Sequence, residues 1–317
     1  MNVLLVGLDG LGGHYMEADV SDTRARMPTL CQMMGEALVA TTAARTVFPP
    51  ISAPAWVAAI SGMGPDCTGI VDNNWDAAHC VHPVAVRPGT TTPWTLYDSI
   101  AGAMAANPAH SPTTTGIGGV HTSLVASWSW LTRLVDTSVC THVLDAAGDD
   151  HRAVAMYEAS CTGDDGTMPH RLSFVHLDAI DGAGHTHTWG SEAYRSAWSV
   201  ADAQLAQLKE TATRHAYRTN RQLVVVVVSD HGGSGQRHGD IHPTHMKVPL
   251  VVWECPPQVG DGDASHHCSG GGARWQMMSA QQPPSILDVA PTVLTLMGLP
   301  VPPWMKGNVL VCPSSVQ

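Results

Sequence analysis

Two apolar runs in this chain each end in an aspartate flanked by turn-forming residues: Gly7-Leu8-Asp9-Gly10 and Ser229-Asp230-His231-Gly232-Gly233. Neighbouring glycines allow the sharp turn that carries such a carboxylate to the rim of a sheet. A third segment, Leu177 to His187, holds Asp181 and His185 four residues apart, with Asp178 as a competing carboxylate. A fourth, Gln236 to His245, adds His238, His242 and His245. Aspartate oxygen and imidazole nitrogen together suit a borderline divalent ion such as Zn²⁺. Ser52 stands just ahead of Pro54, where a helix can begin. Backbone N–H groups at a helix start favour an anion such as phosphate. Each segment also has an ordinary explanation: a turn aspartate, a polar loop, a capping serine. Their accumulation points to metal-assisted chemistry at a hydroxyl.

Elements able to position these groups are visible in the hydrophobic pattern. Residues 3–8 and 223–229 are continuous apolar runs, as expected of parallel strands covered on both faces. Residues 174–177 and 248–253 are weaker versions. Helices are predicted from Pro28, over 93–106, over 191–211 with Ser191 as N-cap, and over 291–296, where Gly298 ends the last one. Strands alternating with helices predict an α/β fold, a doubly wound, mostly parallel central sheet with helices on both faces. Ligands of such sheets collect at the carboxyl ends of the strands. Residues 107–115 and 260–273 read as surface loops too short to be linkers, so 1–317 is expected to form one domain.

Composition narrows the function. The chain has 317 residues, 16 Lys plus Arg against 27 Asp plus Glu, and 18 His, with a formal net charge of -11. That balance argues against nucleic acid and anionic membrane surfaces as partners. At 44% hydrophobic and 14% charged, the chain is not a disordered one. No run approaches the length of a membrane span. Asp9 follows Val3 to Val6 too closely for a secretory leader, which is read as a first strand. Eight cysteines without a CxxC pair are read as reduced thiols of an intracellular protein.

In order, these segments resemble the alkaline phosphatase superfamily, and within it the type I phosphodiesterase/nucleotide pyrophosphatase branch. The matching pieces are Asp9, Ser52 before Ala53-Pro54, Gly69 to Asn73, Asp181 to His185, Asp230 to Gly232, and His238-Gly239, with Ile286 to Gly298 similar to the closing helix. The resemblance implies two divalent ions, zinc or manganese. Asp181, His185 and His238 would hold one; Asp9, Asp230 and His231 the other, with Ser52 as nucleophile and additional ligand. His242 or His245 is an alternative to His238. Asn73 would donate to a nonbridging phosphate oxygen, with Asn74 the weaker candidate.

The implied activity is hydrolysis of a small phosphoric ester or nucleotide through a phospho- or nucleotidyl-serine. Diester and pyrophosphate bonds are favoured over monoesters, because the residue after Ser52 is not arginine. A phosphomonoesterase, a phosphonate hydrolase and a catalytically silent metal-binding relative are the alternatives. Trp56 replaces the arginine of a sulfatase motif. The chain lacks the G-x-S-x-G of α/β-hydrolases and a complete dinucleotide fingerprint. The stretch between Asn73 and Tyr194 is also too short for the inserted domain expected of a cofactor-independent phosphoglycerate mutase. Trp56, Trp75 and Trp189 are read as core residues before base-stacking ones. His14, His187, His266 and His267 are expected to lie outside the ligand set.

Overall fold

A computed structural model describes residues 1–75, 92–106, 121–162, 170–256, 275–278 and 282–314. Seven strands form the main sheet: β1 (Asn2–Leu8), β2 (Val39–Arg45), β3 (His121–Ala126), β4 (His142–Asp145), β5 (His170–Leu177), β6 (Leu223–Val228) and β7 (Lys247–Glu254). Their order is β2-β7-β6-β1-β5-β3-β4. The block β6-β1-β5-β3-β4 is parallel, and β7 runs antiparallel to both β6 and β2. A separate pair joins β8 (Trp275–Met277) to β9 (Val311–Pro313). The helices are α1 (Gly13–Ala18), α2 (Val20–Arg26), α3 (Pro28–Glu36), α4 (Ser52–Ser61), α5 (Pro65–Thr68), α6 (Leu96–Ala105), α7 (Asp150–Thr162), α8 (Ala179–His187), α9 (Glu192–Arg218), α10 (Pro243–Met246) and α11 (Val289–Leu296).

The unbroken apolar character of β1 and β6 follows from burial on two sides. Val3 and Leu5 pack with Leu172, Phe174, Val224, Val226 and Val228 against α4 and α11. Leu4, Val6 and Leu8 point the other way, with Val175, Leu177, Val225 and Val227, against α3, α7 and α9. Each such side chain contributes about 1.5–3 kcal/mol when fully buried. Where neither face meets water, alternation has no purpose.

Sheet register sets the level of the chemistry. Leu8 pairs with Leu177 and Gly7 with Val228. The chains therefore leave three adjacent strands with Asp9, Asp178 and Asp230 at one height on the carboxyl edge. The predicted helices also form: α3 starts at Pro28, Ser191 Oγ accepts from Tyr194 N–H at the head of α9, and Gly298 follows α11 with φ 72°. Among the described residues no cysteine is disulfide-bonded, and no helix is long and apolar enough to cross a membrane. The predicted loops at 107–115 and 260–273, with Cys80, His266, His267 and Cys268, lie outside the described residues.

Candidate active site

Asp9 and Asp230 end neighbouring strands and are almost completely buried. Gly10 has φ 74°, and a Cβ there would lie 2.6 Å from Asp181 Cα. Only glycine lets the turn after β1 meet the first turn of α8 so closely. What reads as a bare D-x-x-G-H string in the sequence is a helix. Asp181 and His185 therefore sit one turn apart on α8, with Asp181 Oδ2 3.3 Å from His185 Nε2.

Three imidazoles converge on these carboxylates, and their tautomers are fixed by backbone carbonyls. His231 Nδ1 donates to Gly232 O at 3.0 Å, His185 Nδ1 to Gln236 O at 3.0 Å, and His238 Nδ1 to Pro50 O at 3.1 Å. A carbonyl only accepts, so each Nδ1 carries a proton and each neutral ring turns an Nε2 lone pair into the site. Those lone pairs meet other acceptors. His185 Nε2 and His238 Nε2 are 3.2 Å apart, and His231 Nε2 is 3.2 Å from Asp230 Oδ2. Facing acceptors require a proton or a cation between them. Second-layer carbonyls that fix histidine tautomers are the usual companions of metal ligands.

The carboxylates show the same need. Asp9 Oδ1, Asp181 Oδ1 and Asp230 Oδ2 are buried without a hydrogen-bond partner. Burial, then Asp181 and Asp178, raise the Asp9 pKa well above the carboxylate range. Burial, then Asp9, do the same to Asp230. Burial, then the facing His238, push His231 down to about 3. At Asp181 burial opposes ionisation, but a second proton on His185, donated from Nε2 to Asp181 Oδ2, and the surrounding imidazoles outweigh it and lower the pKa, while the same bond raises that of His185. Ligand atoms of Asp9, Asp230 and His231 lie within 4.8 Å of one another, as do those of Asp181, His231 and His238. Divalent cations would satisfy the orphaned oxygens and the lone pairs together.

Ser52 opens α4, and its Oγ is 3.2 Å from His231 Nε2. Asn73 Oδ1 accepts from Ala53 N–H at 2.9 Å, which leaves the exposed amide its N–H groups as donors beside Ser52. His185 is the exposed member of the cluster, so the site opens to solvent on that side. The structure thus brings together all of Asp9, Ser52, Asn73, Asp181, His185, Asp230, His231 and His238. His245 stands apart: Asp240 N–H donates to its Nδ1 at 3.0 Å and its Nε2 meets Ser234 Oγ at 2.7 Å, so both nitrogens are engaged. His242 caps α10, its Nδ1 meeting Thr244 Oγ1 at 2.8 Å. His187 is exposed at the end of α8, and His14 packs on Tyr15. Trp56, Trp75 and Trp189 are buried.

Two participants escaped the sequence reading of the site. His176, inside β5, and Trp56, inside α4, both reach Asp9. The one trace of His176 in the sequence is an imidazole inside the otherwise apolar run 174–177.

The mostly parallel sheet with its carboxyl-edge cluster is an alkaline phosphatase-superfamily architecture. The sequence profile of the type I phosphodiesterase / nucleotide pyrophosphatase family matches residues 3–245, and the chain belongs to that family. Murine ectonucleotide pyrophosphatase/phosphodiesterase 5 superposes with a TM-score of 0.64 at 14% identity, over 97% of this chain and 98% of that one. A 2-O GAG sulfatase superposes with a TM-score of 0.63 at 14% identity, over 98% of this chain and 73% of that one. In sequence, GPI ethanolamine phosphate transferase 1 of Emericella nidulans is 30% identical over 141 residues, 43% of this chain. That alignment spans only 15% of the transferase.

Proposed function

We propose that this chain is a metal-dependent enzyme that cleaves phosphoric esters, diester or pyrophosphate bonds by preference, through a covalent seryl intermediate on Ser52. The observation that carries this reading is the convergence of three orphaned carboxylate oxygens and three carbonyl-fixed imidazole lone pairs beside one helix-start hydroxyl. Asp181, His185 and His238 would hold one ion; Asp9, Asp230 and His231 the other, next to Ser52. Mixed imidazole and carboxylate sets of this kind suit zinc, with manganese the alternative. Bound ions would supply the positive charge that lowers the serine pKa and offsets the negative charge of the phosphate.

The protein's own groups do the rest. Ser52 oxygen gives up its proton and bonds to phosphorus as the leaving oxygen departs with its electron pair and takes up a proton. Water then attacks the same phosphorus, the bond from phosphorus to Ser52 Oγ breaks, and the proton that water loses restores the hydroxyl. Asn73, its carbonyl held by Ala53 N–H, offers its amide N–H to a nonbridging oxygen as charge builds there. Ala53 brings no second positive charge to grip a monoester dianion, which supports the preference for diesters.

Likeness to the ethanolamine phosphate transferases favours a second reading, in which an alcohol replaces water as the acceptor. The two share the seryl intermediate and differ in what opens it, so product analysis with and without a primary-alcohol acceptor separates them. Ser52→Ala tests the common step. Turnover of a nitrophenyl phosphodiester should fall by at least about 10³-fold while divalent-ion content stays at wild-type level; undiminished turnover would remove Ser52 from the chemistry.

A further inference from the structure

Asp9 uses its two oxygens differently. Oδ2 is met by two N–H donors, Trp56 Nε1 at 2.8 Å and His176 Nε2 at 3.0 Å, while Oδ1 is buried without a partner. The role of His176 follows from its other nitrogen. Trp128 N–H points at Nδ1, 3.5 Å away, so Nδ1 is the acceptor and the ring proton resides on Nε2. His176 is therefore a donor to Asp9. Its Nε2 is not a free ligand atom, although Asp9, His176 and Asp178 lie close enough together to suggest a further cation site.

Both donors are held rigidly. His176 is fully buried in β5, and the Trp56 ring meets it edge-on with centroids 5.1 Å apart and an interplanar angle of 83°. The indole fills space that Gly7 leaves open, since a Cβ on Gly7 would lie 2.5 Å from Trp56 Cη2. Trp56 is also one helical turn beyond Ser52 on α4. A single indole N–H thus ties the helix that carries the nucleophile to the strand that carries Asp9.

We infer that Trp56 and His176 are positioning residues that clamp Asp9 Oδ2, so that Oδ1 faces the ion beside Ser52. This rests on the two-ion site proposed above. A carboxylate with both oxygens free could rotate about its Cβ–Cγ bond. With Oδ2 held by two N–H groups, only Oδ1 is presented, and α4 keeps the height of Ser52 fixed relative to it.

The test is a chelator-competition titration of Zn²⁺ on the stripped full-length protein, alongside thermal unfolding. Trp56→Phe keeps an aromatic ring and removes the N–H; His176→Leu removes the second donor; His176→Gln retains a side-chain N–H. Trp56→Phe and His176→Leu should weaken one of the two ions by about 10–100-fold and leave the other unchanged, with His176→Gln restoring most of the loss. Lower melting temperatures with both affinities unchanged would reduce the pair to packing residues and overturn the inference. A third wild-type ion lost in His176→Leu would make His176 a ligand and overturn it as well. If His176→Leu does not fold, Trp56→Phe decides alone. A wild-type chain that takes up no divalent ion would sink the two-ion reading itself, an outcome distinct from ions that bind wild type and variants alike.

Discussion

Asp230→Asn should make the metal-free protein more stable and blunt its response to divalent ions. Asp230 Oδ1 accepts from Gly10 N–H at 3.1 Å, a bond that an asparagine carbonyl retains. Oδ2 has no donor and faces the His231 Nε2 lone pair at 3.2 Å, where an amide N–H2 would donate. The substitution also removes a carboxyl group that can ionise only against Asp9, whose ligand oxygen lies within 4.8 Å. Two unit charges at that distance and an effective dielectric constant near 20 would repel by about 3.5 kcal/mol, which is the ceiling on what the fold loses by holding the Asp230 proton instead. The sign with pH follows from the raised Asp230 pKa. Above the ordinary carboxylate value of about 4 the unfolded chain has released a proton that the fold still holds, so wild-type stability falls as pH rises toward the folded value. Asparagine does not titrate. Its advantage should be small near pH 4 and largest at neutral pH. At about 2.1 cal/mol/K of unfolding entropy per residue, 317 residues convert a ceiling of about 3.5 kcal/mol into a gain of up to roughly 5 °C in melting temperature. The assay is thermal unfolding in chelator at both pH values, repeated with added Zn²⁺, which should raise the wild-type midpoint more than the variant's. A metal-free variant less stable than wild type at neutral pH would refute the account of Asp230 as a carboxylate awaiting a cation.

Asn73→Ala should lower kcat on a phosphodiester by about 10²-fold with ion content unchanged, measured by steady-state kinetics and metal analysis. His238→Ala should lose most of one ion. His245→Ala should keep both and cost about 1–3 kcal/mol in denaturant unfolding, because the buried ring leaves a void and its bonds to Ser234 Oγ and Asp240 N–H are lost; the reverse pattern of metal loss would make His245 the ligand. Gly7→Ala should destabilise by about 1–3 kcal/mol through its clash with the Trp56 ring, again by denaturant unfolding.

Legibility in the sequence followed burial. β1 and β6 announced themselves because both faces are covered, which forces an unbroken apolar run. β2 and β4 did not. Each is an edge strand, half exposed, with threonine, alanine or charged residues where a central strand would carry valine. β3 is buried, but at six residues with His, Thr and Ser in its first half it offers too short an apolar run. The choice among His238, His242 and His245 could not be made from spacing, since it depends on which backbone group meets each ring: Pro50 O turns His238 Nε2 into the site, whereas Asp240 N–H and Ser234 Oγ occupy His245.

The same distinction explains why the ligands were readable and the clamp on Asp9 was not. A ligand at the end of a strand interrupts an apolar run, and the interruption itself is visible: Asp9 after Leu8, Asp230 after Ser229. A positioning residue sits inside an element, at a place where a core side chain is expected, and it differs only by one polar atom. Trp56 and His176 satisfy the packing of α4 and β5 as any large side chain would. Their N–H groups acquire meaning only when β1 is laid between those elements, so that Asp9 Oδ2 falls where both donors point. Information of this kind resides in the pairing of β1 with β5 and in the packing of α4 over both, and no single segment carries it.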